Sequence, residues 1–290
     1  MQNRYLQVFP QYWLCGMPLG ELAQVTICFG LILLSRGGRL FAEGHPPQGV
    51  VHLSDCPEGR LTATGSSGGE DNPAVEHVIL LHGLIRNSDS LSKIEAALIE
   101  ADFSTDNRDY PSRQDSIRNL ADSTIGEALA RPEARRAKRV HFVTHSMGGI
   151  LVRDYLSRNE CVNLGRVVML APPNQGSEVI DRIGHWPIVG WLNGPSGDEL
   201  GTGPDSLPNR LGPVNYPVGV IAGDRSINWI NSMILPGPDD GKVTVERTKV
   251  EGMADHLVVH ATHPMIMRNE TVIAQTLHFL RAGRFEPADG

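Results

Sequence analysis

The chain has 290 residues, 40% of them hydrophobic and 20% charged, with a formal net charge of −7. That length can bury a substantial core, and the composition is that of an ordinary globular protein. The acidic balance argues against a nucleic-acid partner, which would need a basic face. The one basic run, Arg131 to Arg139, reads as a solvated helix end or loop.

Residues 1–43 read as a hydrophobic leader or anchor. Leu22 to Ser35 is uncharged and apolar but shorter than the ~20 residues that span a bilayer. A signal peptide or signal anchor, a membrane-surface helix and a buried helix are all open readings. An exported or membrane-associated chain is expected over a cytoplasmic one, with residues 22–35 as the point of association. Residues 44–74, rich in Gly, Pro and Ser, read as a linker that buries too little apolar surface to order itself. The four cysteines, Cys15, Cys28, Cys56 and Cys161, show no zinc spacing. Free thiols are expected, with a Cys56–Cys161 disulfide conceivable in an exported protein.

From Val75 the pattern changes. Val78 to Leu81 is a short, continuous apolar run, the mark of a strand covered on both faces. Leu91, Ile94, Ala97 and Leu98 recur at helical spacing over 90–101, and a second helix is expected over 116–130. Strands follow at 140–143, 166–170, 218–222 and 256–259, with helices at about 147–157 and 270–281. Strands alternating with helices imply parallel βαβ units. The expected fold class is α/β: a mostly parallel central sheet with helices on both faces, from about 75 to 284, followed by a tail at 285–290. Residues from about 178 to 213 read as a long, lid-like insertion.

Between the strand at 140–143 and its helix lies Thr144-His145-Ser146-Met147-Gly148-Gly149. A strand that turns sharply into a helix needs small residues flanking its turn residue, the mechanical content of the G-x-S-x-G elbow. Gly148 supplies the later small residue, and Thr144 replaces the earlier glycine. Together with Leu80-Leu81-His82-Gly83-Leu84, the segment His145 to Leu156 resembles the α/β-hydrolase superfamily. Within it, the likeness is to bacterial lipase/esterase-like proteins, including relatives of the lipases that remodel glycolipid anchors. It covers residues 76 to 283, about two-thirds of the chain.

The resemblance implies that Ser146 is a nucleophile and that Met147 and Leu84 offer N–H groups to an oxyanion, with His82 bracing the loop. That fold uses the order serine, acid, histidine. Asp240, in Asp239-Asp240-Gly241-Lys242-Val243, resembles a lipase acid loop and is preferred over Asp239 and Asp224. His263 sits after the last strand, where the fold places its base; His256 and His260 read as strand-end residues. In the insertion, Trp186 and Trp191 are candidates to line an acyl pocket, although packing on the core explains them equally well. Arg153 and Asp154 are expected to pair with each other.

The expected function is hydrolysis of carboxylic esters, small-molecule or lipid, by a lipase- or esterase-like enzyme. An acyltransferase or thioesterase with the same triad, and a non-catalytic binding protein, are the alternatives. No metal or organic cofactor is implied.

Overall fold

The computed structural model describes residues 75–183, 187–226, 235 and 237–287, without the side chains of 183 and 187–192. The leader at 1–43, the linker at 44–74, Cys56 and Trp186 lie outside the described residues. Six strands, β1 (His77–Leu81), β2 (Ser104–Arg108), β3 (Val140–His145), β4 (Leu164–Leu170), β5 (Val218–Gly223) and β6 (Asp255–Val259), form one sheet in the order β2-β1-β3-β4-β5-β6. Every pairing is parallel. The chain runs outward from β1 to β2, then crosses back to β3 and continues the other way. The switch point therefore falls between β1 and β3, where such sheets open a crevice beyond their carboxyl ends.

Alternation along each strand divides the core between two faces. Ile79, Leu81, Phe142, Met169 and Val220 pack on one side with Ile117, Leu120 and Ile125 of α2 (Ile117–Ala130) and with Ile150 and Leu151 of α4 (Met147–Arg158). Val78, Leu80, Val143, Leu170 and Ile221 pack on the other with Ile94 and Leu98 of α1 (Ser92–Glu100) and with Val272 and Phe279 of α8 (Glu270–Ala282). Both long helices start on side-chain caps. Ser116 accepts from the Asn119 N–H and Asn269 from the Val272 N–H, relieving free first-turn donors. Phe285 lies in the second core layer and its N–H donates to Asp255, so the packed chain extends past residue 284 into the stretch expected as a tail.

Polar β2 was not expected as a strand. It is an edge strand whose side chains are met by neighbours: Asn107 and Thr105 donate to Glu95 of α1, and Asp106 accepts from Arg131. The basic run forms the exposed five-residue α3 (Pro132–Arg136), held to the domain by buried Ala134. Residues 178–210 contain α5 (Glu178–Ile183), α6 (Pro187–Asp198, interrupted at Gly194) and α7 (Leu207–Arg210). Cys161 is a half-buried free thiol. No helix of the described residues is long and apolar enough to cross a membrane.

The first turn of α4 passes directly over the end of β1. A Cβ on Gly148 would lie 2.6 Å from the Leu81 carbonyl oxygen and 2.9 Å from that of His82. Gly148→Ala is expected to cost about 1–3 kcal/mol, as overpacking typically does, with a melting temperature about 2–4 °C lower per kcal/mol in a domain of this size. Calorimetric unfolding of the two proteins tests this, and an unchanged melting temperature would contradict the close approach.

Candidate active site

The bend between β3 and α4 holds Ser146 at φ 54° and ψ −123°, a conformation rarely adopted by a residue with a side chain. Holding such a backbone costs on the order of 1–3 kcal/mol. The surrounding bonds enforce it: the Ser146 N–H donates to the Leu170 carbonyl at 2.8 Å, and its carbonyl accepts from the Gly149 N–H at 3.0 Å. Thr144, where a smaller residue would be usual, is accommodated by Gly149. A Cβ there would meet Thr144 Oγ1 at 3.3 Å and Pro172 at 3.2 Å. The bend leaves Ser146 half-buried, between fully buried neighbours.

His263 follows β6 and lies against this hydroxyl, with Nε2 3.1 Å from Ser146 Oγ. Its Nδ1 lies 2.7 Å from Asp240 Oδ2. An ionised carboxylate only accepts, so Nδ1 carries the proton and Nε2 is left to accept from the serine hydroxyl. The Asp240 side chain is fixed from its other oxygen, which accepts from the N–H groups of Lys242 and Val243 at 3.0 and 2.9 Å. The His263 N–H also donates to the Asp240 carbonyl at 2.9 Å, tying the two loops together through the main chain. Asp240 is 1% exposed and His263 8%.

The other candidates are engaged elsewhere. Asp224 pairs with His260 at 2.9 Å on the surface. Buried Asp239 accepts from the Gly241 N–H at 2.7 Å and shapes the turn. His256 lies 3.0 Å from Thr248 Oγ1.

The loop after β1 completes the constellation. Buried His82 stacks on Tyr110, its Nδ1 2.9 Å from the Gly83 carbonyl and its Nε2 3.3 Å from the Tyr110 N–H. The Tyr110 hydroxyl donates back to the His82 carbonyl at 2.5 Å. His82 Nε2 also lies 3.2 Å from a carboxylate oxygen of exposed Asp109, but burial outweighs that neighbour and lowers the His82 pKa. Ile85 holds a positive φ of 58° and donates its N–H to Ser112 Oγ. A Cβ on Gly83 would stand 3.0 Å from that of Ser146, so the loop lies directly beside the bend. The N–H groups of Leu84 and Met147 have no hydrogen-bond partner among the described residues.

His145, whose role was not read from the sequence, lies beneath the imidazole of His263 with ring centroids 4.9 Å apart. Its Nε2 is 3.1 Å from the His263 carbonyl, an acceptor, so Nε2 bears the proton. Full burial, reinforced by nearby positive groups, holds its pKa well below the usual imidazole range. The ring is therefore a neutral brace for the loop that carries His263.

The insertion is anchored to the same region. Ser196 donates to the Ser112 carbonyl at 2.5 Å, and Glu199 accepts the Ile117 N–H at the start of α2. A Cβ on Gly197 would touch the Leu84 side chain at 3.1 Å. Arg153 and Asp154 do not pair with each other. Successive helix positions face different ways: Arg153 donates to the carbonyls of Asn174, Pro208 and Gly212, while Asp154 pairs with Arg158 one turn on. Burial pushes the Arg153 pKa down to about 10. Trp191 lies in α6, but its side chain is outside the described residues.

Comparisons with protein-family models and with curated proteins give no match. Among solved structures, the chain is similar to phospholipase PlaB from Legionella pneumophila, with 19% identity and a TM-score of 0.59 over 72% of this chain and 60% of that one. It is also similar to the mature form of Bacillus licheniformis lipase BlEst2, with 17% identity and a TM-score of 0.55 over 74% of this chain and 96% of the lipase. The propeptide form of that lipase gives a TM-score of 0.56 at 17% identity, over 75% of this chain and 53% of that one. The match thus spans under two-thirds of the phospholipase and about half of the propeptide form. Identities this low speak to fold alone. The six-stranded parallel sheet with helices on both faces is the α/β-hydrolase fold, and a phospholipase and a lipase are among the chain's structural neighbours.

Proposed function

We propose that this chain is a serine hydrolase that cleaves carboxylic esters. The observation that carries the reading is the unbroken hydrogen-bonded line from Asp240 through His263 to the hydroxyl of Ser146, at 2.7 and 3.1 Å, with the serine on a strained bend. Lipases among the structural neighbours favour an ester over other acyl substrates, although a fold does not by itself dictate chemistry.

In this mechanism, His263 Nε2 takes the hydroxyl proton as Ser146 Oγ bonds to the acyl carbon. The carbonyl electron pair moves onto oxygen, where the N–H groups of Leu84 and Met147 stabilise it. The carbon–oxygen bond to the alcohol then breaks, and the imidazolium returns its proton to the departing alkoxide. Water repeats the sequence on the acyl-enzyme and releases the acid. Asp240 holds the tautomer throughout and balances the transient imidazolium. Neutral His145 places no positive charge beside it. The insertion is assigned to the substrate side, with Trp186 and Trp191 as its candidate lining on sequence grounds.

Ser146→Ala is expected to lower kcat on p-nitrophenyl esters by on the order of 10⁶ without changing the circular dichroism. Fluorophosphonate labelling should add mass at Ser146 and nowhere else. Turnover retained in the alanine variant would dismiss the assignment. Asp240→Asn should cost about 10⁴ in kcat, the scale seen when the tautomer is no longer enforced. Asp224→Asn, which disturbs a surface pair, should cost less than about tenfold. Steady-state assays of both variants decide which carboxylate serves His263.

A further inference from the structure

The two loops that bring Leu84 and His263 to Ser146 each continue into an arginine. Arg86 lies two residues beyond Leu84, and Arg268 closes the turn Ile266–Arg268 after His263. That turn packs against the turn Ser88–Leu91, which follows Arg86. Both arginines are solvent-exposed, and neither guanidinium has an ion-pair or hydrogen-bond partner among the described residues. Asp89, the acid nearest Arg86 in sequence, accepts from Asn87 instead. The inner segments outside the description, 184–186, 227–234 and 236, contain no Asp or Glu.

Packing of the surrounding chain, and then the like charge of Arg268, lower the Arg86 guanidinium below its ordinary value. Gly83, three residues before Arg86, lies against the bend, where an added Cβ would stand 2.9 Å from His145 Nδ1 and 3.0 Å from the Ser146 Cβ, so the loop that carries Arg86 starts beside Ser146. Two like charges brought together without a counter-ion oppose folding. The same loops expose apolar side chains beside the arginines, with Ile85 48% and Met265 49% exposed.

We propose that Arg86 and Arg268 form a subsite for an oxyanion carried by the ester substrate, so that the enzyme acts on acidic amphiphiles. This rests on the ester-hydrolase reading above. A phosphate or a carboxylate presents two or more oxygens to the planar guanidinium fork, while Ile85 and Met265 meet the adjoining hydrocarbon. The shared chemistry is an oxyanion close to the scissile ester, and the source of that oxyanion is separated by the assay.

The test compares monobutyrylglycerol, its 3-phosphate and its 3-O-carboxymethyl ether, each of which carries the butyrate as its one carboxylic ester. The wild type should prefer the charged esters in kcat/KM, and Arg86→Ala/Arg268→Ala should lower the ratio of charged to neutral ester at least about tenfold. A loss for the phosphate alone identifies a phosphate subsite, and an equal loss for both charged esters identifies a general oxyanion subsite. An unchanged ratio in a variant with wild-type circular dichroism overturns the proposal.

Should that variant not fold, the wild type still decides. Raising salt from about 0.05 to about 0.5 M must erode the ratio, and a salt-independent ratio overturns the subsite. Calorimetric binding of the 3-phosphate to Ser146→Ala, with and without the arginine substitutions, reads the subsite without turnover. If fluorophosphonate fails to label Ser146 while this binding still depends on the arginines, the hydrolase reading falls and the oxyanion subsite stands. Labelling of Ser146 with no dependence on the arginines gives the reverse.

Discussion

The site depends on how closely the first turn of α4 approaches the end of β1. Gly148 lets the helix start against the Leu81 and His82 carbonyls, and Gly83 lets the next loop lie against Ser146. Because both contacts are at their steric limit, the serine at the bend has nowhere to relax. Its positive φ is sustained by the sheet and by the Leu170 carbonyl. Strain of a few kcal/mol is tolerable because the fully buried layers on both faces of the sheet fix the ends of the bend. The N–H groups of Leu84 and Met147, without a hydrogen-bond partner among the described residues, belong to the two segments that meet there. The bend at Ser146 and the close seating of the loop after β1 are thus two consequences of one packing constraint.

The architecture was legible wherever an element is buried on both faces. β1, β3, β4 and β5 are each dominated by buried apolar residues because helices cover both sides of them, and such segments stand out without alignment. β2 did not stand out. Its sequence, Ser104-Thr105-Asp106-Asn107-Arg108, is that of a loop until Glu95 and Arg131 arrive to bond it. Propensity has no access to partners supplied by other elements. The same limit applies to α4, where Arg153 binds the main-chain carbonyls of Asn174 and of Pro208 and Gly212 rather than its sequence neighbour.

The candidate acid and base show how far local sequence carries a site. Asp224, Asp239 and Asp240 all lie in turns, and His256, His260 and His263 all lie near one strand. Spacing alone leaves several pairings open. Tertiary placement distinguishes them: Asp224 meets His260 at the surface, while Asp240 meets His263 in a buried position with two backbone N–H groups on its other oxygen. His145 illustrates the opposite case. Its neighbour Ser146 drew attention to the motif, but its own contact with the His263 carbonyl links residues 118 apart in sequence. No local pattern could signal that contact.

The arginine pair poses an electrostatic question that whole-chain charge answers poorly. A formal net charge of −7 would seem to disfavour an acidic substrate, and at long range and low salt it would slow encounter. At physiological ionic strength, however, screening limits exposed charges to a range of about 8 Å. An oxyanion at the mouth therefore responds to Arg86 and Arg268, not to carboxylates on the far faces of the domain. His145, buried and neutral, adds no competing positive charge behind the imidazole. The cost of the like-charged pair to the free protein is thus an interaction relieved on binding, which is the condition for a charge cluster to act as a selectivity device rather than as a structural one.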